Sequence, residues 1–377
     1  MKTLRSCATT LALLAATGCS PQFASPTLVE KLELLGLRSE PPEIAPAAMA
    51  GEPAGAWPRP PSRAALTSLV AQPANLIDPA HRLTVLYLAC TPKLGDPSSL
   101  PCDSFDVLRD PGSLVQGEGL SCSGSGSLPE PGVGVQGGVS FSGLEECDAS
   151  GCHAAQVGGV TLPAPLYALP ADLVLSALPV GTPARTLGIH VTVVAIAVDA
   201  SPEELFAGND ACQWLQSFPA RLQEMLASRE NVTATKRILV RGPDAEDEPN
   251  RNPSLPGVTR DGATLGDAPA EVEAGAKVPL LPMAPADTDY QTYSKYEATG
   301  VKVETKRESW AWSWFTTAGE FEDAHTLKPD EVATWDVPLG TDVDPLPESG
   351  SARIYVVVRD LRGGMSWLVR EAKLPVP

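Results

Sequence analysis

The sequence predicts a mainly β fold made of two sandwich units, the first with a small helical insertion. Three observations support this prediction. The 38 prolines and 32 glycines in 377 residues are scattered along the chain, and β structure with many turns tolerates them better than helices do. Short apolar runs with β-branched residues recur throughout. All cysteines precede residue 213, so the C-terminal part of the chain differs from the rest.

The strand prediction rests on runs that are apolar and rich in Val, Ile, Leu or Thr, as buried strands are. They cover residues 83–90, 188–198, 236–241, 352–359 and 365–370. The last two runs flank a five-residue segment that ends in Gly-Gly, and this arrangement predicts a β-hairpin.

Residues 201–229 predict the helical insertion. Ser201 followed by Pro202 is typical of a helix start, because serine caps the first turn and proline fits its first position. The apolar residues that follow near helical spacing are Trp214, Leu215, Phe218, Leu222, Met225 and Leu226. Pro219 is expected to break or kink the helix, so we expect one or two short helices before the last strand of the first unit.

The boundary between the two units is predicted at residues 243–253. This segment is acidic and punctuated by proline, so it can bury little apolar surface and is typical of a linker. We therefore expect the first sandwich, with the disulfides and the helical insertion, over residues 28–242. The second sandwich is expected over residues 254–377.

The first 18 residues have the organisation of a secretory signal peptide. Lys2 and Arg5 form a positive start, and an apolar stretch follows over residues 8–16. That stretch is shorter than the about 20 residues that span a bilayer. The next residues, Ala16-Thr17-Gly18-Cys19, resemble the lipobox of bacterial lipoprotein precursors, although the family prefers Leu at the position of Ala16.

The lipobox resemblance implies a lipid anchor on Cys19. In such lipoproteins this thiol receives a diacylglyceryl group, and cleavage makes the residue the new N-terminus, so residues 19–27 are expected to be a tether. Ser20 in place of Asp resembles the outer-membrane address of Gram-negative lipoproteins. The expected location is therefore the outer membrane, on its periplasmic or its cell-surface face. The alternative is an ordinary signal peptide that contains a cysteine.

Four stretches of the mature chain resemble Ig-like modules of bacterial surface lipoproteins. Residues 32–43 resemble their opening strand, which runs into a Glu-Pro-Pro-Glu turn, and residues 86–92 resemble a strand that ends in Cys-Thr-Pro. Residues 312–321 and 333–338 resemble parts of the second module. The resemblance implies two tandem Ig-like β-sandwiches, and it implies no activity.

The charge of the chain excludes some partners. The formal net charge is −18, and loss of Lys2 and Arg5 with the leader takes two positive charges away, which gives −20 for the mature chain. Nucleic-acid binding needs clustered Lys and Arg, so nucleic acid is not expected as a partner. A polybasic contact with anionic lipid is not expected either.

Cysteine usage predicts disulfides in the first unit. One cysteine leaves with the leader and Cys19 carries the lipid, so six remain, namely Cys90, Cys102, Cys122, Cys147, Cys152 and Cys212. An even number in an exported chain indicates disulfides, whose connectivity the sequence alone does not decide. Short separations favour the pairs 90–102 and 147–152, which leaves 122–212.

The sharpest local motif is Cys147-Asp-Ala-Ser-Gly-Cys152-His153. Two thiols beside an imidazole could hold covalent haem. However, the haem attachment motif has two residues between its cysteines, and here there are four. A zinc site would need a second Cys/His pair at suitable spacing, which does not follow. We therefore interpret the motif as a disulfide that closes a tight turn, and we expect no cofactor.

The tryptophans Trp310, Trp312 and Trp314 occupy alternate positions and would share one face of a strand. If exposed, they would form a candidate binding strip for a sugar or a partner. The alternative, which the size of the indoles favours, is that they fill the core of the second sandwich.

No sequence pattern identifies a catalytic or metal site. The chain has only four histidines and no Gly-x-Ser-x-Gly elbow, although a Ser–His–Asp arrangement assembled in space stays open. The acidic residues at 246–248 and 342–344 could ligate Ca²⁺, but neither follows the EF-hand spacing, and solvated surface charge is the favoured interpretation.

The sequence therefore favours a non-enzymatic envelope protein that binds a protein or glycan partner or serves structurally. Sandwiches present loops on a rigid frame, and such loops commonly bind. The alternatives are a carbohydrate- or wall-binding module that uses exposed tryptophans, and a hydrolase with a dispersed site.

Overall fold

A computed structural model gives the fold, and the mainly β prediction is confirmed. The structure describes residues 25–47, 57–74, 81–92, 139–206 and 211–376. Cys19, Cys102 and Cys122 lie outside these ranges.

In the described residues of the first unit, strands precede and follow three α-helices. The strands are β1 (Glu33–Glu40), β2 (Glu43–Ile44), β3 (Arg63–Ala71), β4 (Leu83–Cys90), β5 (Val139–Asp148), β6 (Gly151–Ala154), β7 (Gln156–Val157), β8 (Val160–Thr161), β9 (Leu166–Ala168), β10 (Ile189–Val198) and β11 (Asn231–Val240). The helices are α1 (Pro183–Leu187), α2 (Pro202–Leu205) and α3 (Ala211–Ser228).

The strands of the second unit are β12 (Val258–Arg260), β13 (Ala263–Thr264), β14 (Ala270–Glu271), β15 (Lys277–Pro282), β16 (Thr292–Tyr296), β17 (Lys302–Arg307), β18 (Ala311–Thr316), β19 (Glu320–Phe321), β20 (His325–Thr326), β21 (Ala333–Asp336), β22 (Ser351–Arg359) and β23 (Met365–Lys373). Strands β22 and β23 form the predicted hairpin.

The first unit is a sandwich of a three-stranded and a six-stranded sheet. The small sheet has the order β1-β3-β9, and the large one has the order β2-β11-β10-β4-β5-β6. Strands β4 and β10 lie in the middle of the large sheet, and both of its faces are covered. Alternate residues such as Val85 and Tyr87 pack against the small sheet, whereas Leu86 and Leu88 join the cluster that contains Leu222 of α3. Burial on both sides explains why these strands are continuously apolar in sequence.

The helical insertion differs from the prediction in one respect. The capping box at the start of α2 is present, with the Ser201 side chain accepting from the Glu204 amide and the Glu204 carboxylate accepting from the Ser201 amide. The expected break at Pro219 was wrong, because α3 runs without interruption from Ala211 to Ser228. The burial of Leu222 and Met225 in the second core of the first unit shows that tertiary packing holds this helix.

The second unit is a sandwich of two five-stranded sheets. Their orders are β13-β12-β15-β21-β19 and β14-β23-β22-β18-β20. The core between them contains Trp312, Trp314 and Trp335, which are among the largest fully buried side chains of the described part. A separate two-stranded ribbon, β16-β17, extends from this unit.

The two sandwiches stack sheet on sheet. The outer face of β1 and β3 contributes Leu35 and Leu69 to an apolar cluster that also contains Tyr355 and Val357 of β22. Gly36 permits this close approach, because a Cβ at this position would lie 3.1 Å from Met365 Sδ and from the ring of Trp367. The two units therefore share a buried interface.

Polar contacts at the same interface tie the predicted linker to both units. The Asn252 side chain donates to the Ser39 carbonyl (2.9 Å) and accepts from the Met365 amide (2.9 Å). Asn250 is buried and donates to Asp360 (2.7 Å). The segment that joins the sandwiches is therefore packed between them.

The described N-terminus and the β22-β23 turn lie at opposite ends of the second sandwich. Residues 27–29 run beside the end of β18, where the Val29 amide donates to the Thr316 carbonyl (2.8 Å). The other end of β18, Ala311, pairs with Arg359, which precedes the turn. At about 3.3 Å per residue, the two ends are roughly 16 Å apart along the strand.

None of the helices in the part of the chain that the structure describes combines the length and the apolar character needed to cross a bilayer.

Candidate functional site

A cleft of about 450 Å³ lies between the two sandwiches, at the end away from residues 27–29. The first unit provides α1, the start of β10, the end of β11 and the chain that follows it. The second unit provides β16 and the turn that joins β22 to β23. The ribbon tip rests on α1, because a Cβ at Gly300 would lie 3.6 Å from Pro183 Cα.

Two of the arginines in the cleft are held by acids. Arg241 of the first unit and Arg362 of the second both contact Glu43, at 3.3 Å and 3.5 Å. Arg362 also pairs with Glu308 at 2.7 Å. Arg241 donates further to the carbonyls of Ala245 and Asp247. Burial raises the pKa of Glu43, and the two guanidinium groups oppose that rise. These contacts fix both walls of the cleft relative to each other.

A third arginine, Arg237, has no such partner. It is exposed on β11, and it forms no hydrogen bond or ion pair with any residue that the structure describes. Its neighbour on the same sheet face is His190, since Arg237 pairs with Thr192 and His190 pairs with Leu239. Partial loss of water around the His190 ring, and then the charge of Arg237, lower the pKa of His190.

The helices of the first unit cover only part of the large sheet, and the part that carries His190 and Arg237 is left open. The same face of β10 that carries His190 packs Val194 and Ile196 into the cluster beneath the helices. Toward the start of β10 that helical layer ends, and the face borders the cleft instead. The polar residues of β10 and β11 therefore lie where the second apolar core stops.

Two tyrosines of β16 line the opposite wall. The Arg362 guanidinium lies 4.6 Å from the centre of the Tyr293 ring, in a cation–π contact that orients both groups. The Tyr296 hydroxyl is buried, and it has no hydrogen-bond partner within the part of the chain that the structure describes. Tyrosine rings combined with guanidinium groups are typical of sites that bind polar organic molecules.

The cleft also contains a serine, an aspartate and a histidine, but they are not arranged as a Ser–His–Asp relay. Ser294 donates from its hydroxyl to Asp247 Oδ1 (2.7 Å) and from its amide to Asp247 Oδ2 (2.8 Å). No hydrogen bond links His190 to either residue. A Ser–His–Asp relay needs the imidazole between the other two groups, so this arrangement does not form one.

The buried lysine Lys236 holds the turn that borders the cleft. Its ammonium donates to the Gly363 carbonyl of the second unit. Burial lowers the pKa of Lys236 to about 8, and the nearby Asp360 carboxylate opposes that change. The contact crosses between the units beside the cleft and adds to its rigidity.

The tryptophan strip proposed as a surface for binding is not exposed. Trp310, Trp312 and Trp314 are only 2%, 1% and 0% exposed, and all three belong to the core of the second sandwich. Strand β18 is paired on both sides, with β20 and β22, and its tryptophans face the opposite sheet. The alternative of a core role is therefore correct, and the binding strip was wrong.

The structure contains the favoured local disulfide. Cys147 and Cys152 are bonded, with a Cα–Cα distance of 4.0 Å, and they face each other across the β5-β6 hairpin. Cys90 is disulfide-bonded as well. Its favoured partner, Cys102, lies outside the described residues, as does Cys122, and the side chain of Cys212 is not described.

A second polar cluster lies inside the first sandwich and was not predicted. Glu145 is 4% exposed, and Oε2 of its carboxyl group accepts from the Tyr87 hydroxyl and from the Ser68 amide (3.1 Å). The Ser68 and Tyr87 hydroxyls are 2.6 Å apart. Burial raises the pKa of Glu145 to about 7, while the Tyr87 hydrogen bond lowers it. This cluster lies between the two sheets of the first sandwich.

No group of three or more His, Cys, Asp or Glu within the described ranges is arranged to hold a metal ion. No protein-family model matches the chain, and no curated protein matches it either.

Sequence reasoning missed the residues that form the cleft. Arg237 lies within a run that was interpreted only as a strand, and Arg362 lies within the predicted hairpin turn. The available signal was the pair of basic residues Lys236 and Arg237 inside a predicted strand. Tyr293 and Tyr296 are in a segment that carried no prediction.

Proposed function

We propose that this chain is a lipid-anchored outer-membrane protein of the bacterial envelope that binds its partner without catalysis, in the cleft between its two sandwiches. The observation that carries the proposal is the cleft itself, which is built jointly by both units and contains Arg237 without an ion pair among the described residues. Interfaces between domains are common places for ligand sites.

The proposed outer-membrane location rests on the resemblance of residues 16–19 to a lipobox. Several acyl chains on Cys19 would hold the protein at a membrane far better than one chain does. Residues 19–24 precede the first described residue, and six residues span at most about 20 Å. The anchor would thus be close to residues 27–29, which leaves the cleft at the far end of the second sandwich.

The non-catalytic role is supported by how the cleft is organised. Its serine and aspartate bond to each other, and two of its arginines are bonded to acids. Groups that are fixed in this way position a ligand without supplying a nucleophile or a general base. The resemblance to tandem Ig-like modules is in keeping with a binding role, because such modules present binding loops on a rigid frame.

A photo-cross-linking experiment in native envelopes tests the proposed site. A photoreactive phenylalanine is placed at Leu361, which is 70% exposed and borders the cleft. The matched control is Val343, which is 93% exposed and precedes β22 at the opposite end of the unit. We expect an adduct at position 361 that is absent at position 343. Equal labelling at both positions, or none at 361, would contradict the proposed site.

The address is tested separately with globomycin, which blocks the signal peptidase of lipoproteins. We expect the full-length precursor to accumulate during treatment. A precursor band that does not change would contradict processing as a lipoprotein.

A further inference from the structure

Arg237 and Tyr296 of the cleft have bonding capacity that no described residue uses. Arg237 has five N–H donors and no partner in the part of the chain that the structure describes. The Tyr296 hydroxyl is buried without a hydrogen bond, which is costly unless another molecule completes it. By contrast, Arg241 and Arg362 have acids at 3.3 Å and 2.7 Å. A ligand of this cleft is therefore expected to carry groups that form hydrogen bonds with Arg237 and with Tyr296.

Resting on the proposed function, we propose that the cleft binds a small hydroxylated organic anion, a sugar acid or a sugar phosphate, whose carboxylate or phosphate pairs with Arg237. The guanidinium fork matches the paired oxygens of a carboxylate or a phosphate, and such bidentate bonds are among the strong ones in proteins. Neither of the other two arginines is available for this contact without giving up Glu43 or Glu308.

The local charge favours an anion although the chain as a whole is acidic. The cleft is lined by the three arginines, Arg237, Arg241 and Arg362, and by two acids, Glu43 and Asp247. Arg241 and Arg362 are paired with Glu43 and Glu308, so Arg237 is the arginine of the lining that has no ion pair among the described residues. The electrostatic potential of this arginine within the cleft attracts an anion.

Hydroxyl groups on the ligand follow from the remaining lining. A ligand hydroxyl against Tyr296 would complete the missing hydrogen bond, and the His190 ring can donate or accept beside Arg237. The volume of about 450 Å³ suits a molecule of one or two sugar rings, since small-molecule sites occupy about 300–1,000 Å³.

The test is calorimetric titration of the full mature lipoprotein in a polyoxyethylene detergent, whose head group contains no sugar. The titrants are glucuronate, glucose 6-phosphate, neutral glucose and inorganic phosphate. The variants are Arg237→Gln and Tyr296→Phe. The matched control is Arg63→Gln, which changes an arginine that is likewise exposed on a strand and has no ion pair within the described residues, but lies on β3 outside the cleft.

We expect glucuronate or glucose 6-phosphate to bind more tightly than glucose and inorganic phosphate. Arg237→Gln should weaken that binding by about tenfold or more, and Tyr296→Phe should weaken it by about threefold, whereas Arg63→Gln should leave it unchanged. Binding of glucuronate alone identifies the carboxylate as the anion, and binding of the phosphate ester alone identifies the phosphate.

Three results would overturn the proposal. They are no binding of either charged sugar at millimolar concentration, equal binding of glucose, and an Arg237→Gln variant that binds like the parent. If the Leu361 adduct forms while no charged sugar binds, the ligand class is wrong and the proposed site stands. If the adduct is also absent, both fail.

Discussion

Replacing the buried Glu145 by glutamine should change how the stability of the protein depends on pH. Glu145 lies inside the first sandwich, where the Tyr87 hydroxyl and the Ser68 amide donate to it. Burial raises its pKa from 4.5 to about 7. Glutamine keeps the shape and an accepting oxygen and removes the charge.

The magnitude follows from proton linkage. Below about pH 4.5 both the folded and the unfolded chain hold the Glu145 proton, so the group adds nothing to the pH dependence. Between about pH 4.5 and pH 7 the unfolded chain has lost the proton and the folded chain retains it, so stability falls as the pH rises. Each pKa unit corresponds to ~1.4 kcal/mol, which gives about 3 kcal/mol in total.

The assay is urea unfolding of the parent and of Glu145→Gln at pH values from 4 to 8, followed by tryptophan fluorescence with the disulfides intact. We expect the free energy of unfolding of the variant, relative to the parent, to rise by about 3 kcal/mol between pH 4 and pH 8. At pH 4 the difference in the free energy of unfolding between the variant and the parent reports only how well the glutamine amide fits in place of the protonated carboxyl group. A relative stability that does not change with pH would refute the reasoning.

A matched control is Glu320→Gln, which removes an exposed carboxylate from β19 that has no ion pair within the described residues. It measures what the loss of an exposed carboxylate does to stability across the same pH range, so its difference from Glu145→Gln reports the effect of burial. Tyr87→Phe removes the hydroxyl that lowers the pKa of Glu145, so the fall in stability should begin at the same pH, extend to higher pH and become larger.

Three further predictions concern packing and capping, and urea denaturation midpoints measure each. Trp335→Phe should cost about 1 kcal/mol more than Trp312→Phe, because the Trp335 indole donates to a buried carbonyl at 2.9 Å and the Trp312 indole has no partner in the described part; equal costs would contradict this. Gly36→Leu should cost about 1–3 kcal/mol through clashes at the interface between the sandwiches, and a neutral effect would show that the units do not meet there. Ser201→Ala should cost about 1 kcal/mol by removing the cap of α2, and Ser201→Asn, which keeps a capping oxygen, should restore most of it.

Much of the fold was predictable because burial leaves a strong pattern. The buried middle strands β4 and β10 are continuous apolar runs, and their bounds match the predicted runs closely. The hairpin of β22 and β23 was readable from its glycine-containing turn. The bond between Cys147 and Cys152 was favoured by their short separation, which a hairpin brings into register.

The failures have physical reasons. Pro219 was expected to interrupt α3 because proline lacks an N–H, but local propensity is a weak guide where an apolar helix face is held by tertiary packing. Alternation placed Trp310, Trp312 and Trp314 on one face and could not show which sheet covers that face. The answer depends on packing against the opposite sheet, whose strands β12, β15 and β21 come from before and after β18 in the chain.

The cleft could not be predicted because its parts come from segments that are far apart in the chain. Arg237 on β11 and Tyr296 on β16 line the same cleft only because the two sandwiches stack through Leu35, Leu69 and Tyr355. Apolar residues on the outer faces of β1, β3 and β22 were the signal for that stacking. They look like ordinary strand residues until both sandwich cores are known.

The most direct test of the account is the intact mass of the mature N-terminus isolated from native envelopes. The account predicts that the chain begins at Cys19 and that this residue carries a diacylglyceryl thioether. A free thiol at that residue, or a chain that retains residues 1–18, would contradict the lipid anchor and the envelope role that depends on it.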